Sequence, residues 1–464
     1  MKKLKKHLFA AVWAILFLAA SAYAKVQYVD TMPAARHPEM VYWFWQTNTI
    51  TDHQYLRDVD NMATNSPYTI AFFTERGLDF YDYKKMHEPF AETVRAAHQR
   101  HLKIGLQLWE FWSVTARRPA LASQSRPPLP VRQAQALVTE SEVILDSSGR
   151  ADCSLTATNG RGTQPFHSEL LKVFAFRKTA DGFYVENSLT NLTACVKPIN
   201  VDEPTVTLAI NAPTNLDGYT AYIMVANYYD APDLFNDVMI NKYREAFEHY
   251  ADIPFDGTAL DEFGYMMVSR TKDQLFRDRF YGHSFAAEYQ RQTGTPLERA
   301  LFDMRFAPVG KPEVRIRAIN QYFEVFSEGS MRVEEAFYEM SKEIFGPDTF
   351  ADDHSTFHNY MSTDDIWRNR FSWWSIPREY GQSDENWPMP QRMGLIVTHP
   401  EPVAIDMYYG HDLNGFTRKA FNEARFGGRT DYHAWNDNSG RWGIDLAEKK
   451  NTNQSAASNK KSAS

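Results

Sequence analysis

Apolar residues recur along this chain in two alternating rhythms from residue 41 onward. Val41-Tyr42-Trp43-Phe44-Trp45 is a short unbroken apolar run, as expected of a strand buried on both faces. Tyr55, Leu56, Val59 and Met62 follow at helical spacing, behind Thr51 and Gln54 in a T-x-x-Q arrangement that predicts a capping box. Thr69-Ile70-Ala71-Phe72-Phe73 predicts the next strand, Met86, Phe90, Val94 and Ala97 the next helix, and Ile104-Gly105-Leu106-Gln107-Leu108-Trp109 a third strand. Strands separated by helical crossings of about 30 residues pair in parallel.

The rhythm then breaks. Pro119, Pro127, Pro128 and Pro130 rule out helix or central strand. Over residues 138–211 come short β-like runs around Val143, Val173, Tyr184 and Val206, separated by Gly and Asn, which predict a small all-β, sandwich-like module inserted after the third strand. The cadence resumes with Tyr222-Ile223-Met224-Val225-Ala226, read as a fourth strand. A helix through Leu234, Val238, Met239, Tyr243, Ala246, Phe247 and Tyr250 comes next, and residues 257–265 form a fifth strand. After a long helical region containing Val314, Ile319, Phe323, Phe326, Phe337, Met340 and Ile344, four stretches (349–353, 371–376, 393–397 and 403–409) compete for three remaining strands. The expected fold is α/β: a (β/α)8 TIM-like barrel over residues 25–116 and 216–447, the β-rich insertion over 117–215, and a disordered tail, rich in Lys, Asn and Ser, over 448–464.

The first residues add a compartment. Lys2, Lys3, Lys5 and Lys6 precede an apolar stretch over residues 8–20 that is too short to span a bilayer, and Ala22-Tyr23-Ala24 supplies small residues for a signal peptidase. The expectation is a signal peptide cleaved after Ala24, a secreted or periplasmic protein, and no membrane span in the mature form. Removing those four lysines takes the formal net charge from −8 to −12, which argues against a nucleic-acid partner. In an oxidising compartment the two cysteines, Cys153 and Cys195, read as a disulfide within the insertion, with two buried free thiols as the alternative.

Side chains at the C-terminal ends of parallel barrel strands converge on one mouth, where such proteins carry their chemistry. The polar residues ending the predicted strands are Gln46 and Asn48, Glu75, Glu110, Asn227, Asp261 with Glu262, Asp352 with Asp353 and His354, then Glu379 and Asp406. Hydrolysis of a glycosidic bond needs one carboxylic acid to protonate the leaving oxygen and a second carboxylate to attack the sugar or activate water. Like-charge crowding raises some of these pKa values and so creates the acid form. The catalytic candidates are Glu262 with Asp353 or Glu379. The sugar-binding candidates are Trp45, Asn48, Glu75, Trp109, Glu110, Asn227, Asp261, His354 and Trp374. Tryptophans offer flat faces to sugar rings. Of Trp43 and Trp45, one is expected to pack under the helices and the other to face the barrel. Each of these residues also has an ordinary use: Asp261 could cap a helix, Glu75 could pair with Arg76, and any tryptophan could be core. No tight metal-ligand histidine spacing, G-x-S-x-G elbow, dinucleotide motif or P-loop occurs, so no cofactor is expected, with calcium at Asp352-Asp353-His354 as an option.

One segment carries a family resemblance. Trp43-Phe44-Trp45-Gln46-Thr47-Asn48-Thr49-Ile50-Thr51, followed by Leu56, Asp58 and Met62, resembles the opening barrel strand of glycoside hydrolase family 106 and related α-L-rhamnosidase-like proteins. There a W-x-W stretch, an Asn and an I-T pair precede a helix of D-x-x-x-M character. The resemblance covers about 20 residues of the chain. It implies an exported enzyme of polysaccharide breakdown that uses two glutamates, often with calcium nearby, but matches no glutamate here to that pair. The expectation is an exported glycoside hydrolase acting on poly- or oligosaccharides. A carbohydrate-binding barrel without catalysis (or a truncated enzyme) and a polysaccharide lyase are the alternatives.

Overall fold

The computed structural model describes residues 40–66, 68–109, 111–112, 126–156, 164–200, 205–261, 279–354, 381–384, 403–407 and 429–432. The signal-peptide segment, the tail, and the strands expected at 371–376 and 393–397 lie outside the described residues.

The chain opens with β1 (Met40–Trp45), a helical turn α1 (Thr47–Ile50) and helix α2 (Gln54–Asn65). Then come β2 (Ile70–Glu75), α3 (Tyr83–His98) and β3 (Lys103–Trp109). β1 pairs with β2 and β2 with β3, all parallel, as the strand–helix rhythm predicts. The capping box sits elsewhere than expected. Gln46 and Thr49 form it at the start of α1, whereas α2 begins behind Asp52 and His53, both in the left-handed region at φ 53° and 52°. Thr51 instead donates to the Thr47 carbonyl.

Strands β4 (Ala134–Ile144), β5 (Arg150–Thr156), β6 (His167–Phe176), β7 (Thr190–Asn191), β8 (Val196–Asn200), β9 (Thr205–Asn211) and β10 (Thr220–Pro232) follow. They form an antiparallel module of two sheets, β5-β9-β8 and a larger one in which β10 lies between β4 and β6. The predicted fourth barrel strand, Tyr222 to Ala226, is therefore the middle of β10. The reason is burial on both faces. Ala221, Ile223 and Val225 pack into a core with Leu155, Val206, Leu208 and Ile210 of the smaller sheet. On the opposite face Tyr222 meets Phe302 and Phe306 at ring distances of 5.9 and 5.0 Å. A strand covered by a sheet on one side and a helix on the other carries the same continuous apolar run as a barrel strand. The expected boundary at residue 215 accordingly falls inside the module.

The expected disulfide is not formed: Cys153 and Cys195 are both free. Cys153 on β5 is opposite Leu208 of β9, while Val196, next to Cys195, is opposite Ile210 on the other side of β9. A whole strand separates the two cysteines, about 9–10 Å of lateral distance, beyond the Cα separation of about 7 Å that a disulfide tolerates.

Helix α4 (Val238–His249) leads to β11 (Gly257–Asp261), which pairs in parallel with β3 and is the true fourth strand of the parallel set. β12 (Phe280–Tyr281) joins the edge of the module's larger sheet beside β4. Helices α5 (His283–Thr293), α6 (Leu297–Asp303) and α7 (Glu313–Phe345) follow. The two apolar stretches expected around 314–326 and 337–344 are one continuous helix. β13 (Phe350–His354), β14 (Gly381–Asp384), β15 (Val403–Met407) and β16 (Arg429–Tyr432) then extend the parallel set, and β16 returns to β1 so that the ring of eight pairings closes. The module enters after the C-terminal end of β3. Arg126 clamps it there: its guanidinium is bidentate to Asp230 of β10, at 3.0 and 2.7 Å, and lies over the rings of Phe111 and Trp112, which follow β3.

The two faces of the ring's strands are distinguishable by what they touch. Val41, Trp43, Phe73, Ile104, Leu106, Leu108 and Leu260 belong to the core shared with the helices, and Thr258 bonds Ser341 of α7. Residues offset by one face inward. Tyr42 stacks on Phe72 at 5.7 Å, and a Cβ placed on Gly105 would sit 2.3 Å from the Phe72 ring. Glycine at 105 is thus required by that ring, which also lies against Gly257 and Phe350.

A second glycine holds the module. Asp233, buried just after β10, accepts from the backbone N–H groups of Ser284 and Phe285 at 2.9 and 3.0 Å, capping α5 from a distant part of the chain. Burial raises its carboxyl pKa and these N–H bonds oppose the rise. A Cβ on Gly282 would sit 2.1 Å from Asp233 Oδ2. Gly282→Ala is expected to cost about 1–3 kcal/mol by forcing this contact apart. Denaturant unfolding that shows no loss would mean the cap tolerates displacement.

Candidate active site at the ends of the parallel strands

Alternation decides which strand-end residues reach the inner space. On β1, Trp43 and Trp45 are two residues apart and so share a face, and it is the helix face. Trp45 is fully buried, stacked on Tyr55 at 5.7 Å and packed on Phe73 and Phe90 at 4.5 and 5.1 Å. The expectation that one of the two faces the barrel is overturned, and Trp45 is a core residue rather than a sugar platform. The inner face of β1 carries Tyr42 and Phe44 instead, and the Arg76 guanidinium lies 5.5 Å from the Phe44 ring centre. Asn48 is exposed on α1, just beyond the end of β1.

On β2, Glu75 is buried, close enough to Tyr81 and Tyr250 for its charge to help raise both hydroxyl pKa values, for which burial is the main cause. On β3, Trp109 is buried on the same face as Gly105 and Gln107, and its carbonyl accepts from the Tyr81 hydroxyl at 2.5 Å. Beside it on β11, in register with Trp109, is Asp261. Gly257 faces Phe72 and Ile70 on the inside and Thr258 faces α7, so Gly257, Ala259 and Asp261 share the inner face. Asp261 is only 2% exposed.

Register extends the row. His354 is level with Asp261, and Asp352 with Ala259. Asp353 is level with Leu260, a residue of the helix-side core. Further round, Asp384, Asp406 and Asp431 are in lateral register on three consecutive strands. Asp384 and Asp431 escaped the sequence reading because β14 and β16 are short and polar, with no apolar run to announce them. Glu110, Glu262, Trp374 and Glu379 lie outside the described residues.

Asn227 is not at a barrel mouth. It sits in β10, buried, donating through Nδ2 to Thr139 Oγ1 at 2.8 Å and accepting from Ser168 at 2.8 Å, a cross-strand tie within the module. Sequence reasoning missed Thr74 and Gln107, because polar residues one and two places before a strand's end look like interruptions of an apolar run. Thr74 Oγ1 donates to Gln107 Oε1 at 2.7 Å across the inner face, and both residues are fully buried. Among the described residues no three His, Cys, Asp or Glu side chains group to hold a metal ion, and no helix is long and apolar enough to cross a membrane.

The described inner face thus carries a buried carboxylate beside a tryptophan, above a polar pair and an aromatic floor next to two glycines. Neither a known protein family nor a curated protein sequence matches this chain. Among solved structures it is similar to a rhamnosidase from Novosphingobium sp. PP1Y, at 9% identity and a TM-score of 0.47, covering 88% of this chain and 56% of that one. It is also similar to a Paenibacillus sp. cycloisomaltooligosaccharide glucanotransferase solved with cycloisomaltoheptaose, at 9% identity and a TM-score of 0.35, covering 81% of this chain and 39% of that one. The chain thus spans little more than half the length of the first of these proteins and less than half of the second.

Proposed function

We propose that this protein is a glycoside hydrolase of the (β/α)8-barrel type, secreted or periplasmic, acting on poly- or oligosaccharides with two carboxylates. The observation that carries the reading is Asp261: a carboxylate nearly excluded from water, on the inner face at the C-terminal end of its strand, flanked in register by Trp109 and His354. The tryptophan offers an apolar face to the sugar's C–H surface. Asp353 is the partner proposed from β13, where it is level with Leu260, next to Asp352, which is level with Ala259. Glu262 and Glu379 remain the partners proposed from sequence. Calcium at the end of β13 stays an option for the same reason.

The test is direct: the protein, with its leader removed, is incubated with a panel of oligosaccharides and aryl glycosides, and new reducing ends or released aglycone are measured. Turnover of at least one substrate is the expected result. Sugar binding without any released product would replace the hydrolase with a carbohydrate-binding barrel, and unsaturated products would replace it with a lyase.

A further inference from the structure

The polar pair beneath Asp261 and Trp109 leaves one buried polar atom unsatisfied among the described residues. Gln107 is fully buried on the inner face of β3, and one end of its amide is taken by Thr74. Among the described residues the Gln107 amide nitrogen has no hydrogen-bond partner. The residues around it explain why. Gly105 brings no side chain, Ala259 (in register with Gln107) brings a methyl group, Phe72 brings only carbon, and Thr74 is already engaged. Swapping the amide's two ends moves the deficit from its nitrogen to its oxygen without removing it. A buried amide atom left unsatisfied is destabilising, and an apolar side chain of similar shape would fill the place better.

We propose that Gln107 is a specificity-determining residue: its free amide end hydrogen-bonds a hydroxyl of the sugar ring held between Trp109 and Asp261, and so selects sugars that carry a hydroxyl at that corner. The inference rests on the glycoside-hydrolase reading and deepens it. Position supports it, since Gln107 lies two residues below Trp109 on the same face, about 7 Å deeper along the strand, within reach of a ring seated at the mouth. Chemistry supports it as well. A hydroxyl is donor and acceptor at once and satisfies either end of the amide. A site built to bond a hydroxyl discriminates strongly against a substrate that lacks it. Among the described side chains beside it, Phe72 and Ala259 offer no competing hydrogen bond.

The experiment compares wild type with Gln107→Met on the aryl glycoside that wild type cleaves best, and on the monodeoxy versions of that glycoside. Gln107→Met is expected to lower kcat/KM about tenfold, the effect of one lost hydrogen bond. One monodeoxy substrate is expected to suffer in wild type yet lose nothing further in the variant. The sugar-free variant is expected to unfold at the same temperature as wild type or higher. Gln107→Asn, which keeps the amide but withdraws it, serves if the methionine variant does not fold, and is expected to show the same loss and the same substrate signature. Unchanged kcat/KM in a folded variant overturns the proposal while leaving the hydrolase reading intact. So does a loss spread equally over all the monodeoxy substrates, accompanied by a lower unfolding temperature. If wild type cleaves nothing on the panel, the hydrolase reading fails first and this inference with it, an outcome visible in the wild-type sample alone.

Discussion

Asp261→Asn is expected to reduce glycoside cleavage by about 10²–10⁴-fold, with the fold retained. The substitution changes two atoms' chemistry and almost no volume, and Asp261 lies at the end of a strand whose other inner-face residues, Gly257 and Ala259, are among the smallest available. Packing therefore has little to lose, whereas proton transfer has everything to lose. The same assay on Glu262→Gln separates the two adjacent acids. Loss of cleavage in both variants would support Glu262 as the second carboxylate, and loss in the Asp261 variant alone would leave that role to an acid on another strand. An active Asp261→Asn protein, with cleavage within a fewfold of wild type, would remove the residue on which the functional proposal stands. Activity lost together with cooperative unfolding would count as a structural defect, which is why circular dichroism and thermal unfolding belong in the same comparison.

Trp45→Ala is expected to destabilise the protein by about 3–5 kcal/mol. Trp45 makes close ring contacts with Tyr55 on α2, Phe73 on β2, Phe80 before α3, and Phe90 on α3, so one truncation opens a cavity where the first two helices meet the sheet. A tryptophan serving as a sugar platform behaves in the opposite way: its loss weakens substrate binding and leaves the fold alone. Chemical unfolding decides between them. A midpoint unchanged on Trp45→Ala would return Trp45 to the list of sugar contacts and would mean that the β1 faces are assigned the wrong way round. Trp109 offers the internal comparison, because it lies on the inner face beside Asp261 and is itself buried, so Trp109→Ala is expected to weaken sugar binding as well as the fold, whereas Trp45→Ala weakens the fold alone.

Much of the architecture was legible in the chain itself. The first three strands and two helices follow from the change between unbroken apolar runs and helical spacing, and the structure pairs those strands in parallel. The β-rich insertion after the third strand follows from prolines and short alternating runs, and β4 to β10 form it. What misled the reading was a shared local signal. A strand buried on both faces is written the same way whether helices and a barrel core cover it, as for β3, or a helix and a second sheet, as for β10. Once β10 was counted as a barrel strand, the remaining places fell one short, and the polar strands β14 and β16 had no apolar run with which to claim them.

The candidate site divides in the same way. Local sequence determined that acidic and aromatic residues end several parallel strands, because residue type and strand length are properties of short segments. Which of them share the inner space was decided only by register and by facing. These rest on pairings between residues far apart in the chain: Trp109 with Asp261, Asp261 with His354, Thr74 with Gln107. Ring contacts with α2 and α3 put Trp45 on the helix side, the antiparallel pairings of β10 put Asn227 in the module, and the Thr74 hydrogen bond brought forward Gln107, which no local pattern marks. The physical reason is that a strand's period of two fixes only which residues lie on the same side. Which side is the inside is set by the partner strands and by the helices that cover the other face.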